Sequence, residues 1–335
     1  MEMGLGAEIR LGSSNIAIAG TGIAGAYLYR ILALRGFHVD LFDLPNRTKC
    51  GLTPCAWGTS KGFLRLLGEC DLNPMDYILH RPDYVWIDEV KIDADLMTFD
   101  KPRLIKDMLR GARVKNESPD ITRYDRVIDA TGLSRAFLPP IKKDLLLPCI
   151  QYRVKSERRL ENQIRLGGVG YAWCFPLSNE TYHIGCGSLS KDPAALLGSL
   201  GWLKRNGMKM VCDCSARIRL TGPGPARPFV CSGPPEGVWG VGESIGCVAP
   251  LAGDGILTGM LTVKLLLKHW DDPQGYEKAV LREFGWMEEE RRVVDKLLKG
   301  SALGLRDARV LKNNSRRMGM RIGVADATSL LKNLR

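Results

Sequence analysis

Short apolar runs punctuated by glycine fill the first half of the chain, and longer amphipathic stretches take over near its end. Ile16-Ala-Ile-Ala19 has the pattern of a buried strand and runs into Gly20-Thr-Gly22-Ile23-Ala24-Gly25. Helix-like sequence follows to Leu34, Gly36 stops it, and Phe37 to Asp43 supplies the next strand. Tyr84 to Asp95 alternates in the strand manner through Val85, Ile87, Val90 and Ile92, and Thr98 to Leu109 reads as an amphipathic helix with a proline near its start. Asp125 to Gly132 is a short strand ending at Thr131-Gly132.

From Leu145 the pattern becomes that of an antiparallel sheet with one wet face: Cys149–Val154, Asn162–Leu166, and two β-rich runs turning at Ser178-Asn-Glu180. Tyr171, Trp173 and Phe175 alternate and share one face of that hairpin, either as plain core or as the wall of a site. Leu196 to Arg205 reads as helix and Val238 to Val241 as strand; after a glycine-rich turn, an apolar helix reaches about Lys268. Charged helices with a basic bias follow over Tyr276 to Leu298 and Ser301 to Arg335.

These patterns predict an α/β chain with four parts. They are a Rossmann-like dinucleotide-binding lobe (1–140), an inserted antiparallel substrate and catalytic lobe (141–235), the return of the first lobe (236–270) and a basic helical C-terminal part (271–335).

The chemistry is concentrated at the first turn. A strand, three glycines spaced G-x-G-x-x-G, a helix start and an acid closing the second strand are what a dinucleotide requires. Gly20 permits the sharp turn, Gly22 lets backbone amides approach a pyrophosphate, and Gly25 lets helix and strand pack closely. Asp43 stands where a carboxylate accepts hydrogen bonds from a ribose diol. The motif alone does not separate FAD from NAD.

Composition changes this picture little. The apolar and charged fractions, 45% and 25%, are those of an ordinary globular chain. The formal charge of +11 is concentrated late, from Arg291 to Arg335, and suits acidic lipid headgroups, an acidic protein partner or simply a solvated face. Nucleic acid is disfavoured, because the tail has neither interleaved aromatic residues nor a zinc-knuckle pattern. The ten cysteines form no CxxC pair and no His/Cys cluster, so no metal site is expected and a reducing cytoplasm is the expected compartment. No targeting segment or membrane span is evident.

Three separated segments together resemble one family. Gly20-x-Gly22-x-x-Gly25 with Asp43, Val127 to Gly132, and Val241-Gly242-Glu243-Ser244 through Gly253-Asp254-Gly255-Ile256 are similar to the FAD-binding elements of p-hydroxybenzoate-hydroxylase-type flavoproteins. Tyr171-x-Trp173-x-Phe175-Pro176, then Gly185-x-Gly187, resembles the signature of the geranylgeranyl reductase family, and Cys50-Gly51 stands where that family has a Cys-Gly pair near the flavin. Glu243 departs from the family's usual aspartate.

The resemblance implies an FAD-dependent reductase of C=C bonds in geranylgeranyl or related isoprenoid lipids. In that reading, Glu243 faces the ribityl hydroxyls, the helix starting near Asp254 faces the flavin pyrimidine edge, and the three aromatics with Pro176, Gly185 and Gly187 form the substrate wall. Cys50 is the first candidate proton donor and Tyr171 the reserve, with Trp173 beside them. The implied electron donor is NAD(P)H or an acidic ferredoxin-like carrier, and the basic tail suits peripheral contact with an anionic membrane. The alternatives are an FAD-dependent aromatic or alkene monooxygenase on the same fold and, further off, a flavin-dependent RNA-modifying or RNA-binding protein.

Overall fold

The computed structural model describes residues 15–44, 55–178, 180–204, 207–231, 233, 236–323, 326 and 330. Its centre is a six-stranded sheet built around Ile16–Ala19, which is buried along its length and pairs in parallel with Val39–Phe42 on one side and Arg126–Asp129 on the other. Val238–Gly240 extends the sheet in parallel beyond Arg126–Asp129, Val230–Cys231 adds an antiparallel edge, and Val114–Lys115 lies at the opposite end. A continuous strand run of this kind, buried on both faces, is what a doubly wound sheet requires.

Two helices aim their N-termini toward the C-terminal ends of these strands. Ile23–Leu34 begins at Gly22, and Ile256–Lys268 begins at Gly255. They pack against each other where small residues meet: a Cβ on Gly242 would lie 3.3 Å from that of Ala24, and one on Gly259 would lie 3.6 Å from it. Side chains any larger would separate the two N-termini.

The second sheet has eight strands in the order Met208–Arg219, Leu146–Ser156, Thr181–Ser188, Gly170–Pro176, Gln163–Leu166, Tyr84–Ile87, Val90–Ala94 and Met320–Arg321. All neighbours are antiparallel except Gln163–Leu166 with Tyr84–Ile87. A small sheet of Gly58–Ser60, Leu96–Phe99 and Ile78–His80 lies between the two, tied to the hairpin by Thr98 Oγ1 donating to Pro176 O at 2.7 Å. Helices Pro273–Glu283, Trp286–Leu298 and Leu305–Arg317 complete the C-terminal part.

Several local expectations shift. Tyr84–Asp95 is two strands, folded at Asp88 (φ 52°), and they join the second sheet. The helix expected from Thr98 starts at Lys101, because Thr98 and Phe99 belong to a strand and Asp100 caps the helix by accepting from Arg103 N at 3.1 Å. The helix expected over 196–205 is shorter, Pro193–Ser199. Met208–Arg219 is a strand the pattern did not reveal.

Candidate functional site

A cavity of about 1410 Å³ runs between the sheets. Its wall starts at the first turn, where Gly20, Gly22, Ile23, Ala24 and Asp43 meet Thr131 and Gly132 from the end of Arg126–Asp129. The three turn glycines differ in what they do. Gly20 has φ +101° and a Cβ there would lie 2.3 Å from Ala130 O; one on Gly25 would lie 1.9 Å from Gly20 O. A Cβ on Gly22 would meet nothing within 4 Å, so that face opens directly onto the cavity. Asp43 is oriented by Thr21, whose N–H donates at 3.1 Å and whose hydroxyl also donates to the same carboxylate oxygen. Leu44 N donates to the other oxygen at 2.9 Å.

Glu243, Gly242, Gly253, Asp254, Gly255 and Ile256 line the next section. Burial pushes the Glu243 carboxyl up, opposed by the backbone N–H and guanidinium of Arg219 and by the charge of Lys101. Arg219 was not legible in the sequence, yet it joins the two sheets here. Its N–H donates to Glu243 Oε1 at 2.8 Å, and its guanidinium donates to Glu243 O at 2.7 Å, Gly132 O at 3.2 Å, Leu133 O at 2.7 Å and Asp144 at 3.0 Å. The side chain is 4% exposed.

Asp254 precedes the helix N-terminus and accepts from Ile256 N at 2.8 Å. Burial pushes its pKa up to about 6, against the N–H groups of Ile256 and Leu257. An acid whose folded pKa lies above its unfolded value of about 3.9 binds its proton more tightly when folded, so its burial cost is absent at low pH and grows as pH rises through that window. Asp254→Asn is therefore expected to match the parent near pH 4 and to be more stable above pH 6, by at most about 3 kcal/mol. Urea unfolding of flavin-free protein across that range checks this; a difference constant with pH would contradict it.

The hairpin forms the facing wall. Tyr171, Trp173, Phe175 and Pro176 all line the cavity, and each ring is held. The Tyr171 hydroxyl donates to Ala252 O, Trp173 Nε1 donates to Gln151 Oε1 at 3.2 Å, and Phe175 lies against Gly58. Gln151 in turn donates to Cys55 O at 3.0 Å. The two hairpin glycines sit directly across the strand pair: Gly185 opposite Trp173 and Gly187 opposite Tyr171. A Cβ on Gly185 would lie 2.3 Å from the Trp173 ring, and one on Gly187 would lie 2.9 Å from Cys149 Sγ. Gly185 thus gives the Trp173 ring room to lie across it, while Gly187, opposite Tyr171, makes room for Cys149 and Leu147.

Of the residues expected at a site, Gly25 and Gly185 do not line the cavity and pack behind its wall. Cys50 and Gly51 lie outside the described residues. Beyond the aromatics the wall turns apolar through Ile87, Leu96, Ile164, Leu166 and Met318 and ends at helix Leu305–Arg317, with Leu305, Arg309 and Lys312. Among the described residues no group of His, Cys, Asp and Glu is arranged to hold a metal, and no helix is long and apolar enough to cross a membrane.

The glycine cradle and a cavity that continues past it fit a dinucleotide carrying an extended ring system. Gly20 and Gly22 with the helix N-terminus would receive the phosphates, Asp43 a ribose, Glu243 a polyol linker, and the Gly253–Ile256 turn the ring.

No protein-family model matches the chain. It is 24% identical, over a 345-residue alignment spanning 83% of this chain and 91% of the relative, to an uncharacterized protein of Methanocaldococcus jannaschii. Among solved structures, a geranylgeranyl bacteriochlorophyll reductase-like protein from Thermoplasma acidophilum superposes with a TM-score of 0.67 at 16% identity, covering 96% of this chain and 99% of that one. A probable FAD-dependent monooxygenase from Pseudomonas aeruginosa superposes with a TM-score of 0.60 at 13% identity, covering 89% and 99%. These likenesses establish the fold, that of the Rossmann-type FAD-binding flavoproteins expected from the sequence.

Proposed function

We propose that this chain is an FAD-dependent oxidoreductase that saturates C=C bonds of geranylgeranyl or related isoprenoid lipids. The observation that carries the reading is the cavity's size and change of character. At about 1410 Å³ it exceeds the range of single small-molecule sites, about 300–1,000 Å³, and it passes from glycine turns and carboxylates to a mainly apolar stretch rimmed by Arg309 and Lys312. That combination supports a dinucleotide and an apolar chain bound end to end.

FAD, when bound and reduced, supplies a hydride. The chain's own residues supply orientation, dryness and a proton. Tyr171, Trp173 and Phe175 are each fixed by a named contact, so an alkene lying on them loses little further freedom on reacting. Ile164 and Leu166 give the stretch beyond the aromatics an apolar lining. The proton for the second carbon is assigned to Cys50, since a thiol with the usual free value of about 8.5 is mostly protonated at neutral pH. Tyr171 is the reserve, although its hydroxyl already donates to Ala252 O. Cys50→Ala is expected to retain flavin and lose most of its turnover; undiminished turnover would remove this donor assignment alone. Electrons would come from transiently bound NAD(P)H or from an acidic ferredoxin-like carrier.

The mouth of the cavity supports access from a membrane surface. Leu305 is 94% exposed at the start of helix Leu305–Arg317, and Arg306, Arg309, Lys312 and Arg316 follow on the same helix. Each basic residue near an anionic leaflet contributes about 1 kcal/mol. Co-sedimentation with phosphatidylserine vesicles is expected to exceed that with neutral vesicles and to fall with salt. The Arg309→Glu/Lys312→Glu variant is expected to lose most of it; equal binding to both vesicle types would contradict the assignment.

The reading is tested by reducing the FAD-loaded protein anaerobically and adding geranylgeranyl lipids. Flavin reoxidation with a product heavier by two hydrogens per bond supports it. A product gaining oxygen, formed only in air, would favour a monooxygenase on the same fold.

A further inference from the structure

The side chain of Glu290, in the second turn of helix Trp286–Leu298, has no exposed surface. Its two carboxylate oxygens go to two different elements. Oε1 accepts from the guanidinium of Arg317, the last residue of helix Leu305–Arg317, and Oε2 accepts from the backbone N–H of Leu251 at 3.2 Å. Arg317 is itself held over the Trp286 ring, whose centroid lies 3.9 Å from the guanidinium carbon. Burial pushes the Glu290 carboxyl up, opposed by Arg317 and by the Leu251 N–H.

Packing alone does not account for a carboxylate here. A buried ion pair replaced by apolar side chains of similar volume is often as stable or more so, and two helices can be joined that way. An apolar residue could not accept from Leu251 N. The turn around Leu251 closes on itself through Gly253 N donating to Ala249 O at 2.8 Å and Ala249 N donating to Asp254 O at 3.1 Å. Its Leu251–Ala252 part is held by two side chains from other elements: Glu290 accepts from Leu251 N, and Tyr171 donates to Ala252 O. Both anchors belong to walls of one cavity. Tyr171 stands on the hairpin, and the two helices joined at Glu290 line the cavity through Val294, Leu297, Ala308 and Leu311. Leu251 and Ala252 line it as well, directly before the Gly253–Ile256 turn assigned above to the ring.

We infer that Glu290 is a positioning residue for the cofactor ring: by holding the Leu251 N–H it fixes the wall against which the ring lies, and Arg317 holds Glu290 in place. This rests on the dinucleotide reading above, and the test separates the two.

Two double variants differ only in the acceptor. Glu290→Gln/Arg317→Met removes the ion pair and keeps an oxygen for Leu251 N; Glu290→Met/Arg317→Met removes both. Each is titrated beside wild type with FAD, riboflavin and ADP, by fluorescence for the flavins and calorimetry for ADP. The visible spectrum of bound FAD and the melting temperature are recorded for each protein. The Glu290→Met double variant is expected to weaken FAD and riboflavin alike, about 10-fold, to shift the visible bands of bound FAD, and to leave ADP unchanged. The Glu290→Gln double variant is expected to stay within about 3-fold of wild type for all three ligands and to keep the wild-type spectrum. Equal flavin affinity and spectra in the two double variants, or ADP weakened as much as FAD, would overturn the assignment while leaving a flavin site intact. Hydrogen exchange of flavin-free wild type is expected to show a protected Leu251 amide; fast exchange there would overturn the assignment without any variant. Wild type that binds ADP and neither flavin would overturn the flavin reading and the assignment together.

Discussion

Gly22→Val is expected to fold and to lose its dinucleotide. At Gly22 the backbone is ordinary extended (φ −65°, ψ −175°) and a Cβ meets nothing within 4 Å, so valine fits the protein without strain. Valine is a poorer helix cap, which costs about 1 kcal/mol and a small drop in melting temperature. What it removes is the close approach of phosphate to the amides at the start of Ile23–Leu34. FAD affinity is expected to fall at least about 100-fold, equivalent to losing two charge-assisted hydrogen bonds. Gly20→Ala and Gly25→Ala behave differently, because their Cβ atoms collide with backbone oxygens at 2.3 Å and 1.9 Å. Those two are expected to damage the fold itself. Thermal melting alongside flavin fluorescence titration separates the cases, and a Gly22→Val protein that binds FAD normally would contradict the placement.

Arg219→Ala carries the largest expected stability loss of any single truncation at the site. The guanidinium is 4% exposed and donates to three backbone carbonyls and to Asp144, all of which would be left without it. Removing one partner from a buried ionic network costs about 3–5 kcal/mol. Because Arg219 lies at the end of a second-sheet strand and its acceptors Gly132, Leu133 and Glu243 belong to the nucleotide-sheet side, the variant is expected to loosen the join between the sheets. Chemical denaturation is expected to show lower stability, and FAD affinity is expected to fall with it. Wild-type stability in Arg219→Ala would show that the sheets are held by other contacts.

The parts legible in the sequence were those governed by local rules. Ile16–Ala19, the three glycines and Asp43 announce a strand, a turn and a helix within one short window, and the structure forms them in register. The hairpin was legible because its aromatic and glycine alternations are each periodic. That Gly185 is the socket for the Trp173 ring required the register Trp173↔Gly185.

What stayed hidden depends on contacts distant in the chain. Arg219 looks like one more basic residue until its partners, 24 to 87 positions away, are placed around it. Gln151 gives no signal until Trp173 donates to it. Met208–Arg219 is an edge strand that exposes Met210 and Val211, so it lacks the buried alternation that marks a strand. The turn at Asp88 uses no glycine or asparagine; its carboxylate instead accepts from Leu166 N at 3.0 Å, and the stretch reads as a single strand.

The most direct test of the whole account is the identity and amount of nucleotide the purified chain carries. Protein reconstituted with a mixture of FAD, FMN, NAD and NADP, then desalted and denatured, is expected to release FAD alone, one per chain, as identified by mass. A folded protein that retains a nicotinamide dinucleotide in preference to FAD, or that retains none of the four, would contradict it.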